Sequence, residues 1–315
     1  MLDNRDILSG VCGANDGNLR VIEGSLGGRI AARGNEIRLE GASDDGARRF
    51  RALMDNLIAL VKEGEYPSPE YVRSLAGSGL SSEEEVIIHI PHGFGRVYPR
   101  SKNQAAYVQA MRDYDISFGI GPAGTGKTYL AIAHALNLVL SKKMRKLVLT
   151  RPVVEAGESL GFLPGDMAQK INPYLRPLYD AMESLVPYDL IHRMEENRTI
   201  EIAPLAYMRG RSLNDCVVIL DEAQNTTKEQ MKMFLTRIGE GGQAVITGDI
   251  TQIDLPRRNE SGLLHVISIL SAVEGLYFAY LHTVDVVRNP LVKKIIQAYE
   301  GQGNGPVVTG IGNGA

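Results

Sequence analysis

From residue 116 onward the chain alternates between two patterns. Short apolar runs without polar alternation occur at Ile116–Ile120, Lys146–Thr150, Thr199–Ala203, Val217–Leu220, Ala244–Thr247 and Leu276–Leu281. Between them lie stretches whose apolar residues recur at helical spacing. Strands that are apolar on both faces belong in a sheet covered on both sides by helices, which predicts a parallel α/β fold. The first ninety residues read differently. Asn18–Ser25 predicts a short helix, and "RIAARGNEIRLEG" predicts two strands about a Gly34-Asn35 turn, with Ile30, Ile37 and Leu39 on the apolar face. Ser43 or Asp44 can cap a helix carrying Phe50, Leu53, Met54, Leu57, Ile58 and Val61 on one stripe. Two prolines in "EGEYPSPEYVRS" then close a small α+β module.

These patterns divide the chain into a module over 1–90, a Gly- and Pro-rich linker over 91–101, an α/β domain over 102–300 and a tail over 301–315. The tail has six glycines in 15 residues with no period, the composition of a flexible segment. The 315 residues are enough for two domains, and 44% hydrophobic with 23% charged residues is an ordinary globular balance. No run of 18 apolar residues occurs, and "MLDNRDILSG" lacks the features of an export signal, so a cytoplasmic protein is expected. Cys12 and Cys216 stand apart, which excludes a thiolate zinc site or a disulfide framework. A net charge of −3 gives no global attraction to nucleic acid, so any such contact must come from local arginine clusters.

The chemistry begins at "ISFGIGPAGTGKTYLAIA". Gly121, Gly126, Lys127 and Thr128 satisfy the phosphate-loop pattern G-x-x-x-x-G-K-S/T, with a strand before and a helix after. In such a loop the backbone N–H groups of Gly121, Pro122, Ala123, Gly124, Thr125 and Gly126 (proline supplying only its carbonyl) surround phosphates at a helix N-terminus. Lys127 neutralises phosphate oxygens, and the Thr128 hydroxyl ligates Mg²⁺. "CVVILDEAQN" ends an apolar strand in Asp221, placed to hold Mg²⁺, and Glu222, placed to act as general base toward water. Either carboxylate alone would read as a solvated strand end; beside an intact phosphate loop they read as a hydrolytic pair. "VITGDITQ" puts Gly248 and Asp249 at a third strand end, with Gln252 able to sense a γ-phosphate. Gln104, seventeen residues before the loop, can bond the N6/N7 edge of adenine. No N-K-x-D segment occurs, so ATP is expected rather than GTP. Arg151, Arg209, Arg211 and Arg288 could each supply a finger to the transition state, contact nucleic-acid phosphate or form an ordinary ion pair. The six histidines have no metal-ligand spacing.

Five separated segments resemble the PhoH-like ATPases: "FGIGPAGTGKTYLA", "TRPVVEAGESLGFLPGD", "YMRGRSLNDCVVILDEAQNTT", "ITGDITQIDLP" and "DVVRNPLV". The resemblance covers about Pro99 to Tyr299 and implies a RecA-like P-loop core similar to one lobe of superfamily 1 helicases. It further implies ATP at Gly121–Thr128, Mg²⁺ at Thr128 and Asp221, water at Glu222, the γ-phosphate at Gln252, and an arginine finger or sensor at Arg288. Expected partners are a homo-oligomer, as a hexameric ring, RNA, and a ribosome-maturation endoribonuclease. The expected processes are RNA or ribosome metabolism and the phosphate-starvation response. Members of one type carry a PIN nuclease domain; this chain has only the Gly-rich tail at that place, so nuclease activity is not implied. More faintly, Gly24-Ser25-Leu26-Gly27, followed by Arg29 and Arg33, resembles the GXXG of RNA-binding KH domains. A nucleotide-dependent assembly scaffold with slow turnover is the competing reading. A small-molecule kinase is disfavoured by the Asp221–Glu222 pair and by the lack of an arginine-rich lid segment.

Overall fold

The computed structural model describes residues 5–34, 36–62, 66–77, 86–152 and 167–286. Arg288, the tail and the segment after Pro152 lie outside them. The N-terminal module contains α1 (Arg5–Cys12), α2 (Gly17–Leu26), β1 (Arg29–Arg33), β2 (Glu36–Glu40), α3 (Asp44–Lys62) and α4 (Pro69–Gly77). The two strands pair antiparallel, Ile30 opposite Leu39, across the expected turn. Val11, Ile22, Leu53, Leu57 and Val72 form a core of their own. Buried Asn18 ties this core together, donating to the carbonyls of Val11 at 3.0 Å and Pro67 at 2.9 Å.

Two helices here were not expected from the sequence. The prolines of "YPSPEY" begin α4: the Ser68 hydroxyl accepts from Tyr71 N at 3.2 Å, and Pro69 takes the first helical position, where its missing N–H costs nothing. The other is α1, eight residues long. The GXXG tetrapeptide is not a free loop. Gly24, Ser25 and Leu26 complete the last turn of α2, and Gly27 caps it at φ 69°.

The end of the 1–90 span and the segment read as a linker pair with each other. β3 (Ile88–Ile90) and β4 (Gly95–Val97) form an antiparallel hairpin. Ile88, Ile90 and Val97 are buried against the α/β core while His89 points out, an alternation typical of a half-buried strand. His92 and Gly93 take positive φ in its turn.

The α/β domain continues through α5 (Lys102–Asp113), β5 (Ile116–Ile120), α6 (Lys127–Leu140), β6 (Lys146–Arg151), α7 (Met167–Glu183), α8 (Tyr188–Glu196), β7 (Ile200–Pro204), β8 (Cys216–Leu220), α9 (Lys228–Leu235), β9 (Gln243–Gly248), α10 (Gly262–Leu270) and β10 (Leu276–Tyr280). The six strands form one parallel sheet in the order β10-β5-β9-β8-β6-β7. This is a RecA-like order, with β9 inserted between the phosphate-loop strand β5 and the carboxylate strand β8.

Alternation within each strand explains the apolar runs. Val217 and Ile219 face one side, with Leu136, Leu178 and Met182 from α6 and α7. Val218 and Leu220 face the other, with Phe234 from α9 and Leu263 from α10. Among the described residues no helix is long and apolar enough to cross a membrane.

Candidate active site

β5, β9 and β8 end together at the carboxyl edge of the sheet, in register: Ile120 pairs with Gly248, and Leu220 with Ile246. The loop after β5 carries Gly124 at φ 81° and Gly126 at φ 80°, both in the left-handed region that glycine enters freely. Gly121 sits so close to β10 that a Cβ would meet the Leu281 carbonyl oxygen at 2.4 Å. The loop's first residue is therefore packed against the backbone just after β10, and Gly126 leads directly into α6.

Lys127, Thr128, Asp221, Glu222, Gly248, Asp249 and Gln252 line one cleft with Ala123, Gly124, Gly126 and Tyr129. The Lys127 ammonium donates to the carbonyls of Gly121 at 2.6 Å and Pro122 at 2.8 Å. Burial pushes its pKa below the usual lysine range, opposed by the nearby carboxylates of Asp249, Asp221 and Glu222. Thr128 Oγ1 donates to Asp221 Oδ1 at 2.7 Å, and Thr247 Oγ1 donates to the same oxygen at 2.6 Å. A hydroxyl and a carboxylate brought this close, between a glycine cradle and a lysine, form the hard-oxygen donor set that suits Mg²⁺ and a phosphate chain.

Asp249 joins the loop to the third strand end. Its Oδ2 accepts from Ala123 N at 3.1 Å and from Gln252 Nε2 at 2.8 Å, and its Oδ1 accepts from Thr251 N and Oγ1 at 2.9 and 2.6 Å. Glu222 occupies the left-handed region at φ 53°, a strained setting for a residue with a Cβ. Its Oε2 accepts from Gln224 Nε2 at 2.5 Å, and its Oε1 lies 3.3 Å from Arg151 Nη2.

Some expected residues fall elsewhere. Gln104 does not line the cleft. It is buried under the loop, donating from Nε2 to Thr125 O at 2.9 Å and accepting from Arg100 N at Oε1, 2.6 Å. Each end of its amide bonds backbone, so it braces the loop from below. Arg211 is held by Glu201 on β7, with Nη1 and Nη2 at 2.5 and 2.9 Å, and Lys146 bonds the same carboxylate. Arg209 is exposed in the turn after β7.

Two residues were missed by the motif reading. Thr247 completes the Asp221 contacts, and its only sequence signal is a hydroxyl amid the apolar run of β9. Gln224 is fully buried; its Oε1 accepts from Asp249 N at 2.9 Å while its Nε2 holds Glu222. The glutamine that ends "DEAQ" thus links the second and third strand ends, a link that spacing alone does not reveal.

A family model described as "PhoH: PhoH-like protein" matches residues 96–300. The chain belongs to this family. A PhoH-like protein of Mycobacterium leprae is 49% identical over 300 residues, covering 93% of this chain and 86% of that protein. One from Bacillus subtilis is 45% identical and covers 96% of both chains. Protein PhoH of Escherichia coli is 42% identical over 208 residues, 64% of this chain and 58% of that one. Among solved structures, the Pif1 helicase from Candida albicans matches at 15% identity with a TM-score of 0.34, over 65% of this chain and 44% of the helicase. A Sulfolobus solfataricus SWI2/SNF2 ATPase core in complex with dsDNA matches at 12% identity and a TM-score of 0.38, covering 68% of this chain and 55% of that one. The chain thus spans about half the length of these solved structures.

Proposed function

We propose that this PhoH-like protein binds ATP with Mg²⁺ and hydrolyses it, coupling turnover to RNA binding or remodelling in the cytoplasm. The observation that carries the hydrolase reading is the meeting of Lys127, Thr128, Asp221, Glu222 and Gln252 in a single cleft. In this reading Thr128 and Asp221 hold Mg²⁺, which neutralises phosphate charge when bound. The N–H groups of the 121–126 loop and the Lys127 ammonium bind the phosphate chain. Gln252 reaches the γ-phosphate end, and Glu222 takes the proton of the attacking water.

The cleft measures about 250 Å³. Ligand pockets for whole small molecules run from about 300 to 1,000 Å³, so this one accommodates the phosphate end and leaves the rest of the nucleotide outside. A neighbouring subunit in a homo-oligomeric ring is the simplest cover. The exposed Arg209 and the sequence-expected Arg288 are the arginines we assign to such a contact. RNA coupling, a ring of six, an endoribonuclease partner and a role in ribosome metabolism or phosphate starvation rest on family resemblance.

The test is steady-state ATP hydrolysis with and without single-stranded RNA, alongside light scattering of the same samples. Lys127→Ala should abolish tight ATP binding, and Glu222→Gln should bind ATP and retain it. RNA stimulation on the order of tenfold supports a motor. Hydrolysis by Glu222→Gln at the unmodified rate would remove the assigned base. Absence of RNA stimulation would favour the scaffold reading, and full activity in a stable monomer would remove the ring.

A further inference from the structure

Glu222 lines the cleft, yet both its carboxylate oxygens face donors of the protein itself. Gln224 Nε2 bonds Oε2, and Arg151 Nη2 stands 3.3 Å from Oε1. Arg151 ends β6, the neighbour of β8 in the sheet, so the pair spans two adjacent strand ends. Its other terminal nitrogen, Nη1, donates 3.2 Å to the carbonyl of Tyr174 in α7. One guanidinium therefore connects a helix outside the sheet to the carboxylate assigned as base.

The two donors on Glu222 differ in kind. Gln224 is fully buried and also fixed through Asp249 N, so it is part of the site's frame. Arg151 makes a one-nitrogen contact at 3.3 Å between side chains 21% and 35% exposed, without the paired geometry of a tight guanidinium–carboxylate fork. Such a contact is readily exchanged, and the Tyr174 carbonyl gives a movement of α7 the means to withdraw it.

We infer that Arg151 is a positioning residue that restrains Glu222, and that displacement of α7 relative to β6 releases the carboxylate for work on water. This rests on the assignment of Glu222 as base. The Arg151 contact tethers the carboxylate to the end of β6, and loss of the guanidinium leaves Gln224 to orient it alone.

The experiment measures ATP turnover at saturating Mg²⁺ and ATP for the full chain and for Arg151→Gln, Arg151→Lys, Glu222→Gln and the Arg151→Gln/Glu222→Gln double variant, with thermal melting as a check of folding. Partly exposed ion pairs set the scale, so Arg151→Gln should raise kcat about two- to fivefold with KM for ATP unchanged. Arg151→Lys keeps the charge but cannot reach Glu222 and the Tyr174 carbonyl together, and should fall between the two. In the Glu222→Gln background the Arg151 substitution should change nothing. A fall in kcat for a folded Arg151→Gln, with Glu222→Gln inactive, would overturn the restraint while leaving the base in place. If Arg151→Gln does not fold, Arg151→Lys at or below the unmodified rate overturns it equally. Full turnover by Glu222→Gln would instead remove the base, and the restraint with it.

Discussion

The Thr128 hydroxyl lies 2.7 Å from Asp221 Oδ1, joining the first turn of α6 to the end of β8. A second hydroxyl, from Thr247 at 2.6 Å, orients the same oxygen. The pair assigned to Mg²⁺ is thus held in place by ordinary hydrogen bonds. Asp221→Asn keeps the shape but loses the charge, and should lower turnover on the order of a hundredfold or more. Thr128→Ser should behave like the unmodified protein, whereas Thr128→Val should raise the Mg²⁺ concentration for half-maximal activity. A Mg²⁺ titration of steady-state hydrolysis checks both, and an unchanged midpoint for Thr128→Val would remove that ligand.

Gly121 and Gly24 should respond oppositely to alanine. At Gly121 a Cβ would meet backbone, the Leu281 carbonyl oxygen at 2.4 Å, and neither strand end can yield freely. Gly121→Ala should destabilise by about 1–3 kcal/mol and weaken nucleotide binding by displacing the loop. At Gly24, inside α2, a Cβ meets nothing within 4 Å. Gly24→Ala should stabilise by about 0.5–1 kcal/mol, because the glycine loses more backbone freedom on folding. Urea midpoints of the two variants decide this.

The ion cluster on β7 predicts an acid-sensitive contribution to stability. Arg211 foremost, then Lys146, holds the Glu201 carboxyl down to about 2 from its usual 4.5, against the opposing effect of burial. A carboxyl with a depressed folded pKa adds stability that is present above the unfolded value and lost as pH falls from about 4.5 toward 2. With the groups partly exposed, Arg211→Ala should cost about 1–2 kcal/mol at pH 7 and progressively less on acidification. Its ATP turnover should stay unchanged, which separates Arg211 from arginines acting on phosphate. Denaturant midpoints from pH 7 to pH 3 supply the check.

His134 predicts a loss of stability in milder acid. Its ring is buried in α6, with Nε2 3.0 Å from Gln243 Oε1, and burial lowers its pKa to about 4. The unfolded chain therefore takes up a proton between about 6.5 and 4 that the folded chain refuses, and stability falls as pH drops through that window. At pH 5 the loss is about 2 kcal/mol, from about 1.5 pH units at 1.36 kcal/mol each. His134→Asn should melt lower at pH 7.5 but show a flatter profile between pH 7.5 and 5.

The strands were readable because their burial leaves a plain trace: Cys216–Leu220 is apolar throughout, since both faces meet helices. The phosphate-loop pattern, Asp221, Glu222 and Gln252 were legible as residues following apolar strands, and they line one cleft. What escaped depends on relations across the chain. Gln224 matters through Asp249, 25 residues on, and Gln104 turns inward because Thr125 and Arg100 take both ends of its amide. The 88–97 hairpin was obscured by Gly and Pro, although Ile88-His89-Ile90 carried a strand's alternation. At α4, Ser68-Pro69 was a helix start taken for a breaker.

Interposing β9 between β5 and β8 has a mechanical effect. The loop, the Asp249–Gln252 segment and the paired carboxylates hang from three strands hydrogen-bonded side by side, with Ile120 level with Gly248 and Leu220 level with Ile246. No one of them can slide without breaking the ladder to its neighbour, so the floor of the cleft behaves as one stiff plate. Adjustment during a working cycle must come from parts beyond that plate's rim.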